Sequence, residues 1–278
     1  MRKQLYYLFL FHWIRWPNFF FDIVFAFIYP LYKFTHRNRA WGRVERLLKE
    51  TSFDTKTNPR AVFYSLYKNA ILSYRSLLGH KKTLSNIFYE NEFLIQDLVK
   101  KNVPIVAISV HQGPFELLHR SLCRYHRLIY LLTNPFSDTS LTQALKKIRS
   151  HSHLKEYSPD DTHLVLKKLI REKGILAMLV DQAKNSKGVL TRLWDKNFNL
   201  YLRLPIKANQ MGAAIITFRT FSVKNQIIVR FEKIYPPKSE ANTITQGISN
   251  EIESWIEEHP EQWTWNYHRN FRVDDYGV

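Results

Sequence analysis

Five short, nearly unbroken apolar runs constrain this chain more than any other feature: VPIVAISV at 103–110, LIYLLT at 128–133, GILAMLV at 174–180, AAIITFRTF at 213–221 and QIIVRFEKI at 226–234. Such runs are how strands covered on both faces read, as in a parallel sheet. Helical patterns lie between most of them. Residues 60–79 set Val62, Phe63, Leu66, Ala70, Ile71, Tyr74, Leu77 and Leu78 at helical spacing, with Gly79 as a natural stop. In 141–151, Leu141, Leu145 and Ile148 share a face. In 158–173, Ser158 is a cap, Pro159 takes the first helical position, and Asp160 and Asp161 suit the positive helix end. In 242–258, Ile244, Ile248, Ile252, Trp255 and Ile256 form the buried stripe. The pattern predicts an α/β fold, a central and largely parallel sheet with flanking helices, leaving room for antiparallel pairing across 213–234.

The N-terminal stretch 5–34, LYYLFLFHWIRWPNFFFDIVFAFIYPLYKF, is strongly apolar and aromatic but is interrupted by His12, Arg15, Pro17, Asn18 and Asp22. No uninterrupted run of about 18 apolar residues exists, and no small-residue cleavage site follows it. We expect a membrane anchor over residues 1–40, either one tilted span or a segment lying in the interface, with Trp13, Trp16, Tyr29 and Tyr32 at head-group level; the alternative is a helix of the soluble core. Lys33, Arg37, Arg39, Arg43 and Arg46 follow it, which favours a body on the cytoplasmic face of an anionic membrane. No repeat or linker divides the remainder, so residues 41–278 are expected to form one domain.

Formal charge is +17, from 41 Lys and Arg against 24 Asp and Glu, and calls for an anionic partner: nucleic acid, acidic lipid or an acidic carrier protein. The apolar N-terminus tips that choice towards lipid. A single cysteine, Cys123, rules out an intramolecular disulfide and a Cys-based zinc site, and is expected to be a small buried hydrophobe. A P-loop, a G-x-G-x-x-G and a G-x-S-x-G elbow are all absent from the sequence.

Chemistry is expected where the apolar runs end. His111 follows the run 103–110 directly, at the carboxyl edge where open α/β sheets bind ligands. Gly113 and Pro114 can turn the chain into a helix, which leaves two readings: Glu116 accepts from one imidazole nitrogen while the other takes a proton from a hydroxyl, or His111 only hydrogen-bonds in the loop and Glu116 caps the helix. Spacing alone is weak, since His151 and Glu156 repeat it, and that second pair is expected on the surface. Asp181 and Gln182 follow the run 174–180 in the same way, and Asn134 follows 128–133. Between 183 and 207, Lys184, Lys187, Arg192, Lys196, Arg203 and Lys207 face Asp195 alone, which reads as a solvated face or a phosphate-recognising rim. Trp263, Trp265 and Tyr267 alternate as a half-buried C-terminal strand would, leading to His268 and Arg269.

His111-x4-Glu116 after a buried strand, Asn134-Pro135, Arg149, Asp181-Gln182, and Pro260-Glu261-Gln262-Trp263-x-Trp265 leading to His268-Arg269-x-Phe271 occur in that order. Together they resemble the late (secondary) acyltransferases of lipid A biosynthesis, within the lysophospholipid acyltransferase superfamily, over residues from about 40 to 272. The resemblance implies transfer of a fatty acyl chain from acyl carrier protein to a hydroxyl of a membrane glycolipid, at the cytoplasmic face of the inner membrane, with no cofactor. It implies His111 as general base, Glu116 as its orienting acid, Arg149 as a phosphate-binding or charge-stabilising group, and Asp181 as a site aspartate. Two positions depart from the family pattern: Ala183 stands where many members carry an Asp, and Ser150 to His153 hold no glycine. An acyltransferase acting on another phospho- or glycolipid, a basic nucleic-acid-binding protein and a non-catalytic membrane scaffold are the competing readings.

Overall fold

A computed structural model describes residues 12–125, 127–133, 139–183 and 188–268. Nine described strands form two sheets: β1 (Ile87–Glu90), β2 (Ile105–Ser109), β3 (Ile129–Leu132), β4 (Leu154–Tyr157), β5 (Ile175–Leu179), β6 (Val189–Leu193), β7 (Lys196–Leu200), β8 (Ala214–Val223) and β9 (Gln226–Tyr235). The main sheet has the order β1-β9-β8-β2-β5-β3-β4, and β6 and β7 pair apart from it. Every neighbouring pair in the main sheet is parallel except β8 and β9, which are antiparallel. All five expected runs are strands, and the antiparallel pairing falls where the sequence leaves room for it.

Two-residue turns explain both hairpins. Lys224 and Asn225 between β8 and β9, and Trp194 and Asp195 between β6 and β7, all have positive φ. Two consecutive left-handed residues make the turn whose twist matches that of the flanking strands.

Covering on both faces accounts for the unbroken apolar runs. Along β2, Val106 and Ile108 face a core shared with helices Gly42–Glu50, Thr162–Glu172 and Ala241–Glu258, while Ile105 and Ala107 face one shared with Phe93–Lys100 and Leu118–Cys123. Each fully buried aliphatic side chain of this kind contributes about 1.5–3 kcal/mol. Cys123 is buried, as expected, and burial pushes its thiol up to about 11. Pro59–Leu77 is helical, and Gly79 follows it with φ +75°. The capping box at Ser158 is formed: its hydroxyl accepts from Asp160 N and Asp161 accepts from Ser158 N.

Two expectations change here. Residues 260–268 are not a strand: short 3₁₀ turns at Pro260–Gln262 and Trp265–Tyr267 flank one isolated bridge between Trp263 and Gln112. Trp263 and Trp265 are both fully buried because their indoles point to internal acceptors, whereas Tyr267 is about half exposed. At the N-terminus, no described helix is long and apolar enough to cross a membrane. The helix Asn18–Thr35 has 18 residues and carries Asp22 and Lys33 within it. Instead of standing free, it packs along Pro59–Leu77 through Phe21, Phe25 and Tyr32, and Tyr64 donates to Asp22 at 2.8 Å. Arg75 fastens the preceding turn, donating to the Ile14 and Trp16 carbonyls and to Asn18.

Candidate active site

Parallel register brings the site together. Ser109 of β2 pairs with Leu179 of β5, and Val180 N continues the ladder to Ser109 O at 3.0 Å. Two residues past that pair on each strand stand His111 and Asp181, side by side at the carboxyl edge. The His111 ring Nδ1 lies 2.7 Å from Asp181 Oδ1, and the His111 backbone N–H donates to both carboxylate oxygens at 3.2 and 3.1 Å. An ionised carboxylate only accepts, so Nδ1 carries the proton of this contact, and in the neutral imidazole Nε2 keeps the lone pair. Among the described residues, no hydrogen bond engages Nε2. The rings of Phe115 and Tyr267 stand beside the imidazole, with centroids 4.9 and 6.0 Å away.

Asp181 is almost completely buried. Burial opposes its ionisation, but the charge and hydrogen bond of His111, reinforced by His268, outweigh it and hold the carboxyl far below its ordinary range. Trp263 Nε1 donates to Oδ2 at 3.0 Å, and His268 Nε2 lies 3.5 Å from the same oxygen without forming an aligned hydrogen bond.

Among the described residues, Glu116 makes no hydrogen bond to His111, the contact the sequence suggested. It lies in the 3₁₀ turn Phe115–Leu117, where it accepts Arg149 Nε at 2.9 Å and Arg149 Nη2 at 2.7 Å to each oxygen. Burial alone would raise its pKa, yet Arg149 holds it below the usual carboxylate value. The reason is directional: leaving β2 through Gly113 sends Glu116 towards the end of helix Thr139–Arg149, while the parallel neighbour β5 presents Asp181 to the imidazole. Among the described residues, Arg149 Nη1 makes no hydrogen bond, so the held guanidinium keeps one free edge.

The loop bearing His111 is fixed from the C-terminal side. Thr264 N donates to His111 O and Gly113 N to Gln262 O, each at 3.0 Å. Gln112 Nε2 donates to Trp255 O at 2.7 Å, and the Gln262 amide exchanges hydrogen bonds with the Ser222 backbone, 2.9 Å each. Gly113 has φ +58°, and a Cβ there would meet Thr220 O at 2.3 Å, so conformation and space both demand glycine.

Other expected residues fall differently. Gln182 is exposed beside Asp181. Arg192 is exposed on β6, and no described hydrogen bond or ion pair joins it to the site. Asn134, Lys187 and Arg269 lie outside the described residues. The pair expected on the surface, His151 and Glu156, is partly exposed, and Glu156 acts electrostatically on Arg149. Trp263 is the site residue whose role sequence reasoning missed. Its signal, an indole in a segment rich in Gln and Trp, identifies no acceptor until the fold is known.

A buried carboxylate on one imidazole nitrogen, and a second nitrogen without a described hydrogen bond at the sheet edge, form an arrangement able to accept a proton. The chain belongs to the bacterial lipid A biosynthesis acyltransferases, whose family model matches residues 78–273, spanning all nine described strands and the whole site. It is thus an acyltransferase of lipid A synthesis. No individual curated protein matches the chain significantly.

Proposed function

We propose that this protein transfers a fatty acyl chain from acyl carrier protein to a hydroxyl of a lipid A precursor, at the cytoplasmic face of the inner membrane. The observation that carries the mechanism is the 2.7 Å contact of His111 Nδ1 with Asp181, which leaves Nε2 free. In this reading Nε2 takes the proton from the acceptor hydroxyl as its oxygen attacks the thioester carbonyl. The new C–O bond forms, the C–S bond breaks, and the imidazolium returns its proton to the departing thiolate. A thioester is already activated, so positioning and charge stabilisation supply the rest, and no covalent nucleophile is needed. Arg149, held by Glu116, offers its free edge to the developing oxyanion or to an acceptor phosphate. Glu116 therefore serves the reaction through Arg149 rather than through His111.

Attachment follows from the N-terminal helix. Phe19, Ile23, Phe27, Leu31 and Phe34 are exposed along one stripe, opposite the face that packs on the body. A helix with that arrangement, followed by Arg37 and Arg39, suits the interface of an anionic leaflet. The excess of basic residues suits an acidic carrier protein equally. Residues 1–40 would then attach the body, 41–278, to its substrate surface. Mass spectrometry of lipids from cells with and without the protein tests the proposal: one acyl chain missing from lipid A is the expected result, and an unchanged lipid profile would refute it.

A further inference from the structure

We infer that Trp263 is a positioning residue of the His111–Asp181 pair, its indole N–H fixing which carboxylate oxygen faces the imidazole and how basic that carboxylate is. The inference rests on the reading of His111 as the base.

The two oxygens of Asp181 have different work. Oδ1 meets the imidazole at 2.7 Å, while Oδ2 accepts Trp263 Nε1 at 3.0 Å, and the His111 backbone N–H lies between them. With Oδ2 tied to the indole, rotation about the carboxylate axis is blocked and Oδ1 stays aimed at Nδ1. Trp263 is itself immobilised. It is fully buried, its ring stacks on His268 at 4.0 Å between centroids, and Trp265 meets it edge-on at 4.7 Å. Its backbone bridges to Gln112, and the next residue, Thr264, donates to His111 O. One short segment therefore holds the base by its main chain and the carboxylate by its indole.

The indole also tunes chemistry. A donor to Oδ2 draws charge from the carboxylate and weakens its support of an imidazolium at His111. Loss of the N–H should let Asp181 rotate and make it a stronger acceptor. The base would then be positioned less well, and its acid limb would move to higher pH.

Trp263→Phe keeps an aromatic ring and removes the donor. The test is acyl transfer in membranes, from acyl carrier protein to a lipid A precursor, followed over pH and normalised to folded protein. Loss of one hydrogen bond to a charged group predicts kcat about tenfold lower with KM within about twofold of wild type. The acid limb of kcat/KM should rise by about half a pH unit. Trp265→Phe, which removes a donor to Pro260 O from an equally buried ring, is the packing control and should leave the limb in place. If Trp263→Phe fails to fold, benzothienylalanine at the same position keeps the ring shape without the N–H and is read in the same assay. An unmoved limb with activity proportional to folded protein overturns the inference. The underlying reading fails separately, if His111→Ala retains wild-type turnover.

Discussion

Asp181, 70 positions away in sequence, accepts the Nδ1–H of His111 at 2.7 Å, while Glu116, five positions away, is bound to Arg149 instead. The parallel register of β2 and β5 makes the first contact and the exit direction of the β2 loop makes the second. The pairings have distinct consequences.

If His111 is the base, His111→Ala should lower acyl transfer in membranes by about 10²–10⁴-fold without a matching loss of protein. Turnover close to wild type would remove the assignment.

Asp181→Asn and Glu116→Gln should separate by pH profile. Asp181→Asn removes the charge supporting the imidazole, so kcat should fall steeply and the acid limb should move to lower pH. With Glu116→Gln the guanidinium loses its counter-charge, and we expect about 1–3 kcal/mol less stability and weaker activity with the limb unmoved. A limb that moves with Glu116 and not with Asp181 would restore the local pair.

Gly113→Ala must fit a Cβ where Thr220 O is 2.3 Å away, at φ +58°. It should lose more than about 1 kcal/mol in thermal unfolding and should lower activity further by displacing His111.

Buried imidazoles make stability fall with acidity. Burial lowers His119 to about 4 and pushes His259 and His268 in the same direction. Below the unfolded value of about 6.5 the unfolded chain binds protons that the folded chain refuses. For His119, stability is complete above that value and is lost as pH falls from about 6.5 towards 4, by at most about 1.4 kcal/mol per pH unit. His119→Leu should flatten the slope of unfolding free energy in that window.

Phe27→Glu combined with Leu31→Glu breaks the exposed stripe of the N-terminal helix without touching the face packed on Pro59–Leu77. Flotation with anionic vesicles should show markedly weaker binding of the variant, and equal flotation would separate membrane attachment from this helix.

Local patterns carried much of the fold. The runs of β2, β5 and most of β8 are covered on both faces, whereas β9 is buried on alternate residues; the cap at Ser158 and the stop before Gly79 depend only on neighbouring residues. Tertiary partners overruled local pattern elsewhere. Alternating aromatics at 263–267 imitate a strand, but Trp263 and Trp265 turn to acceptors that distant segments supply. β1 and β4 are short strands with half-buried residues, so neither shows a continuous apolar run. The N-terminal helix looks like a free anchor because its sequence does not reveal that one face has a partner in Pro59–Leu77.

By itself the sequence determined the class of fold, the place of His111 and Asp181 at the ends of buried strands, and the family signature. Apolar periodicity and turn chemistry act over a few residues and can be read there. Only the tertiary structure decided which acid meets the imidazole, because strand register and loop direction place side chains that spacing cannot. A His-x4-Glu motif thus became two separate pairs, His111 with Asp181 and Glu116 with Arg149, with Trp263 holding the first from the far end of the chain.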